Sequence, residues 1–214
     1  MIGNMLRTLF VVIFTFVILV YAEWLARARQ IHTELTRKFV HVLVGTFVAF
    51  WPFFLSWGQI EFLSIAFLIV VSLSIKFDIF RSIHAVKRNV MGELFFAVVI
   101  GLLAYSVASK WVFMAAMLNL SLADGIAAIV GIGWGERNSY KVLGHKKSVA
   151  GSAAFFVISL LIIIFYSIFS NSGTGIATII LLPVVATAAE NVAVDGMDNI
   201  AIPLLVAVIL SSGI

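Results

Sequence analysis

The sequence predicts an all-α fold: a polytopic integral membrane bundle of about eight helices, seven or eight of them transmembrane. One domain takes up the chain, 1–214. Three observations predict it. Of the 214 residues, 63% are hydrophobic and only 11% charged, less than half the charged share of an ordinary soluble domain. Mean hydropathy is +1.16, which is more apolar surface than one core of this size can hide. The apolar residues also fall in runs of about 20, the length that crosses a ~30 Å hydrocarbon core as helix.

The runs lie at 5–24, 39–57, 59–75, 92–109, 111–132, 153–169, 176–194 and 199–213. The first follows Arg7 and ends in "YAEWLARARQ". No small-residue cleavage site closes it and further runs follow, so it reads as a retained span and not a leader. Only "SWGQ" joins the second run to the third, which makes a tight hairpin. The eighth run is short, and a re-entrant segment is its alternative. The chain has no cysteine, so disulfides, thiolate metal sites and cysteine nucleophiles are excluded. Its pI near 9.6 reports loop orientation and contact with anionic headgroups rather than nucleic acid.

Twelve of the fourteen Lys and Arg residues fall in three segments. Arg27, Arg29, Arg37 and Lys38 lie in 25–38, Lys76, Arg81, Lys87 and Arg88 in 76–91, and Arg137, Lys141, Lys146 and Lys147 in 133–152. With eight spans these share one side. Positive charge favours the cytosol, so both termini are expected outside and the basic loops inside. The loop "VDGMDN" falls on the same side but is acidic.

Charges at or inside spans cost about 2.5–3.5 kcal/mol each at the bilayer centre, and those that persist mark sites. Three clusters qualify. In "ELTRKFVH", Glu34, Lys38 and His41 fall on one helical face with Arg37 beside them. A snorkelling basic collar with a capping Glu is the plainer reading. In the fifth run, Asn119, Ser121 and Asp124 are polar, and Asp124 lies about two turns from the cytosolic end. A carboxylate there needs a cation, a metal or a proton. Ala127, Gly131 and Gly135 follow at a spacing of four, which also suits close helix packing. "GHKKSVAGS", 144–152, then offers backbone amides, hydroxyls and two lysines just before a helix N-terminus, the groups that phosphates take. In "ENVAVDGMDNIAIP", Glu190, Asp195, Asp198 and Asn199 supply the oxygen ligands of Mg²⁺, or simply a capped polar turn.

By this topology all three clusters face the cytosol, where a soluble phosphate donor and a lipid acceptor could meet. The common nucleotide motifs are missing. "GHKKS" lacks the P-loop spacing, and no βαβ unit surrounds "GIGWG". His32, His84 and His145 read as solvated or capping residues, and Glu93 as an acid at a helix start or a site residue. Trp and Tyr read mostly as interface anchors.

The ordered pieces "RKFVH", "LADGIAAIVGIGWG", "HKKSVAGS" and "ENVAVDGMDNIAIP" resemble the CTP-dependent lipid-alcohol kinases, which include dolichol kinase, phytol kinase and a diacylglycerol kinase. The resemblance runs over about residues 34–204. It implies transfer of the γ-phosphate of CTP to a lipid hydroxyl with a divalent metal, in a multi-span helical domain. The related phosphatidate cytidylyltransferases carry a longer carboxy-terminal signature, in place of which "DGMDN" stands here.

Under that resemblance Asp124, with Glu190 or Asp198, and with Asn199 beside them, holds Mg²⁺ on the triphosphate. Gly131, Gly135, Lys141, Gly144, Lys146, Lys147, Ser148, Gly151 and Ser152 cradle the nucleotide. Arg37 and Lys38 neutralise developing charge, and Asp124 or His41 takes the proton of the lipid hydroxyl. Two other functions stay open on the residues alone. One is a cytidylyltransferase on a lipid phosphate. The other is a small ion-coupled transporter, in which Asp124 and Glu190 carry protons or cations.

Overall fold

The computed structural model describes residues 2–29, 33–77 and 90–213. Arg81, Lys87 and Arg88 of the second basic segment, with His32 and His84, lie outside the described residues. The helices run in the order α1 (Ile2–Arg29), α2 (Thr33–Ala49), α3 (Trp57–Lys76), α4 (Val90–Ser106), α5 (Lys110–Leu118), α6 (Asp124–Trp134), α7 (Val149–Ser170), α8 (Ile176–Val192) and α9 (Asp198–Ser211). A π-helical turn, Asn119–Ala123, joins α5 to α6 in one rod.

Local chemistry sets the breaks. Pro52 stands at the start of a short 3-10 turn, Trp51–Phe53, which ends α2 earlier than its apolar run predicts. A proline lacks the N–H that an α-helix interior needs. Ser56 then caps α3 in a reciprocal capping box with Gln59. Gln59 also donates to Thr8 of α1 at 2.7 Å, which ties those two helices together at this end. Asn171 ends α7 in the left-handed conformation.

The α5–α6 rod is the centre of the bundle. Of its most apolar stretch 78% is buried inside the protein, against 28% for α3 and for α7. The outer helices turn apolar side chains outward, as expected where lipid is the solvent. These three elements are long and apolar enough to cross a membrane. Shorter apolar stretches lie at Met5–Tyr21, Met91–Ser106, Ile176–Val192 and Asp198–Ser211. Small residues bring the helices close. A Cβ on Gly45 of α2 would lie 2.3 Å from Ser121 Cβ in the π turn, and one on Gly125 of α6 would lie 2.1 Å from Val42 Cγ2. Asn119 and Ser121 are part of this frame. Asn119 Nδ2 donates to Ala115 O and its Oδ1 accepts from Ser159 of α7, while Ser121 donates to Met117 O.

One non-helical element interrupts the all-α plan. In the sequence, 133–152 reads as a basic loop that leads into a helix. Instead, strands β1 (Ser139–Val142) and β2 (His145–Ser148) pair antiparallel, and α7 starts at Val149. Leu143 and Gly144 turn the chain with φ of +48° and +83°. Two positive φ values are what the favoured two-residue hairpin turn requires.

Candidate active site

The N-terminal turns of α2, α4, α7 and α9, one side of α6 from Asp124 to Ile132 and the C-terminal end of α8 meet at one end of the bundle. They enclose a cleft of about 580 Å³. Arg37, Lys38, His41, Asp124, Gly131, Gly135, Lys146, Lys147, Ser148, Gly151, Ser152, Glu190, Asp198 and Asn199 all line it. Lys141 and Gly144, expected with them, do not. Lys141 is exposed and pairs with Lys146 across the hairpin, and a Cβ on Gly144 would meet nothing within 4 Å. The side chain of Glu34 lies outside those described.

Two lysine–carboxylate pairs form the floor. Lys38 Nζ of α2 lies 2.7 Å from Asp124 Oδ2, and both residues are buried. Asp124 opens α6 directly after the π turn, whose wider winding sets the direction in which α6 leaves it. His41 Nε2 is 3.1 Å from Leu120 O and 3.9 Å from Asp124 Oδ2. A carbonyl oxygen only accepts, so Nε2 carries a hydrogen in that bond and Nδ1 keeps the lone pair of the neutral ring. The second pair joins hairpin to α8. Lys147 Nζ lies 2.5 Å from Glu190 Oε1 and 2.8 Å from Glu190 O.

The N-terminus of α7 opens into the same cleft. Ser148 caps it, its Oγ accepting from Gly151 N at 3.0 Å. Glycine at 151 lets α7 approach α6, because a Cβ there would lie 3.0 Å from Ala127 O and 3.5 Å from Gly131 Cα. The small residues at 127, 131 and 151 therefore serve close packing, and by the same contact they set the cap of a 22-residue helix dipole into the cleft.

Sequence reasoning missed the parts that hold the hairpin in place. The hydroxyls of Tyr140 and Ser152 lie 2.6 Å apart and both donate to Asn191 Oδ1. Asn191 Nδ2 in turn donates to Thr187 O at 2.9 Å. Tyr140 reads as an interface anchor in the sequence, and Asn191 stands beside the more conspicuous Glu190. His145, read as solvated or capping, lines the cleft. Gly92 and Gly196 were also missed. A Cβ on Gly196 would lie 2.6 Å from Gly92 Cα, and Asn199 Nδ2 donates to Gly92 O at 2.6 Å. That bond ties α9 to α4, so Asn199 does more than cap a turn. Asp198 Oδ1 accepts from Asn199 N at 3.0 Å.

The donor set suits a hard divalent cation, with the carboxylates of Asp124, Glu190 and Asp198 lining one cleft. Among the described residues no three acids or histidines converge as a metal cage. Mg²⁺ takes one or two carboxylates and completes its shell with water and substrate phosphates. The residues therefore fit a Mg²⁺ delivered on a phosphate ligand.

The chain is 32% identical over 200 residues to the phytol kinase of Synechocystis sp., a match that covers 90% of this chain and 84% of that protein. No family profile matches, and no solved structure does. With the ordered motifs and the cleft they line, this relationship shows that the chain belongs to the family of lipid-alcohol kinases that contains phytol kinase.

Proposed function

We propose that the protein transfers the γ-phosphate of CTP to the hydroxyl of a lipid alcohol of the phytol or polyprenol type, with Mg²⁺. The observation that carries this reading is the meeting of the Lys38–Asp124 and Lys147–Glu190 pairs with the capped N-terminus of α7 in one cleft. Each pair holds a carboxylate for a metal and an ammonium for a phosphate. An incoming metal–triphosphate can exchange with both halves of each pair without leaving a bare buried charge.

Asp124, with Glu190 or Asp198, would hold the Mg²⁺, which when bound supplies neutralisation of the triphosphate charge. Lys146, Lys147 and the amides around Gly151 would bind the β- and γ-phosphate oxygens, with the hydroxyls of Ser148 and Ser152 beside them. Arg37 and Lys38 would face the transferred group. The lipid oxygen attacks the γ-phosphorus, and the bond from that phosphorus to the β–γ bridging oxygen breaks. CDP leaves, and the hydroxyl proton passes to Asp124 Oδ1 or to His41 Nδ1. The products are a lipid monophosphate and CDP. The basic loops and the cleft would face the cytosol, where CTP is found, with eight helical passages and both termini outside.

The test is binding followed by turnover. CTP with Mg²⁺ should raise the melting temperature of the detergent-solubilised protein, and mass spectrometry should then find phytyl phosphate or a polyprenyl phosphate. Asp124→Asn should stop turnover in a folded protein. Near-normal activity in that variant would remove Asp124 from the mechanism.

A further inference from the structure

Beside the cleft lies a second, smaller cavity of about 90 Å³, between α1, α2, α3 and α4. Its wall is mostly apolar: Leu19, Val40, Val44, Phe67, Val71 and Phe96, with Ser74 in the last turn of α3. The charged and amide side chains come from the N-terminal turns of α2, α4 and α9. Arg37, His41 and Asn199 line this groove and the cleft alike, and Glu93 joins them on the groove side. At the rim stands Val70, which is 51% exposed on the outer surface of α3.

We infer that this groove receives the first carbons of the acceptor alcohol and delivers its hydroxyl to the cleft past Arg37 and His41. The inference rests on the kinase reading and deepens it by placing the lipid. Three observations carry it. The groove is mostly apolar and carries its charged groups where it joins the cleft, the polarity profile of a long-chain alcohol entering hydroxyl first. Val70 at its edge lies among the exposed apolar side chains of α3, with Phe62, Ile65, Ile69 and Leu73, so in a bilayer a chain can leave it into lipid without crossing water. Its volume is too small for a whole isoprenoid tail, so the tail remains in the bilayer and only the segment next to the hydroxyl is read. A site of this kind grips the head of its substrate and tolerates a range of tail lengths.

The test is crosslinking in the full-length protein with a phytol analogue that carries a diazirine in the isoprenoid unit next to the hydroxyl. The expected result is label on α2, α3 and α4 at Val44, Phe67, Val71 or Phe96. Val70→Trp, which closes the rim from the lipid side, should abolish that label and raise KM for phytol about tenfold, while KM for CTP stays unchanged. Ile69→Trp, on the same outer surface but off the groove, should leave both as they are. Label concentrated on other helices, with phosphate transfer intact, would overturn the groove and spare the kinase reading. Label in the groove without phosphate transfer from any nucleotide would sustain the groove and sink that reading.

Discussion

Lys38 and Asp124 are 86 residues apart in sequence, yet Lys38 Nζ and Asp124 Oδ2 lie 2.7 Å apart inside the bundle. Neither is easily explained without the other, since an unpaired charge at this depth would cost several kcal/mol. Lys38→Ala should therefore destabilise the protein by about 3–5 kcal/mol, because it strands a buried carboxylate. The double variant Lys38→Met/Asp124→Asn should recover most of that stability and none of the activity. Melting curves and phosphate transfer on the same preparations separate the two effects. Recovery of activity in the double variant would make the pair purely structural.

Lys147 bridges hairpin and α8 through Glu190, with side chains only partly shielded. Lys147→Ala should raise KM for CTP at least tenfold, about 1.4 kcal/mol of lost phosphate binding, and leave KM for the lipid alcohol unchanged. Initial rates over a CTP series at saturating lipid measure this directly. An equal rise in both KM values would point to collapse of the cleft instead.

Tyr140, Ser152 and Asn191 should act on the donor through Lys147. Tyr140→Phe removes the donor to Asn191 and the contact with Ser152, worth about 0.5–1.5 kcal/mol. The expected outcome is a rise of a few fold in KM for CTP with kcat retained at saturating donor. A large fall in kcat at saturating CTP would give Tyr140 a direct part in the chemistry.

Gly151→Ala tests the contact of α6 with α7. The added Cβ would lie 3.0 Å from Ala127 O, a backbone atom that cannot turn away. A cost of about 1–3 kcal/mol is expected, with a lowered melting temperature and weaker CTP binding. An unchanged melting temperature would mean that the two helices part freely there.

The helices were legible because lipid leaves one strong signal, apolar length. The run at 59–75 appears as Trp57–Lys76, and the run at 176–194 as Ile176–Val192. The run at 39–57 is the largest mismatch. Hydropathy counts Phe50–Phe54 with the helix, whereas Pro52 ends it, and polar Thr33–Lys38 belongs to the helix by winding. The acids and lysines of the cleft were legible for the opposite reason: charge is scarce in this chain, so each charged residue near a span asks for a partner. Which partner each takes was not legible, since Lys38–Asp124 and Lys147–Glu190 depend on how distant helices pack. The π turn before Asp124 has no sequence mark. The hairpin was hidden because its turn is Leu143–Gly144 rather than the more telling Asn-Gly pair, and its strands are only four residues each.

The most direct measurement is label transfer by the purified protein with Mg²⁺, using CTP labelled at the γ-phosphate and, separately, at the α-phosphate. A panel of lipid alcohols, diacylglycerol and phosphatidate serves as acceptors. The expected result is γ-label in a phytol- or polyprenol-type alcohol, none from α-labelled CTP, and loss of transfer when EDTA removes the metal. α-Label appearing in phosphatidate, or no label in any lipid from a folded protein that binds CTP, would contradict the proposed reaction.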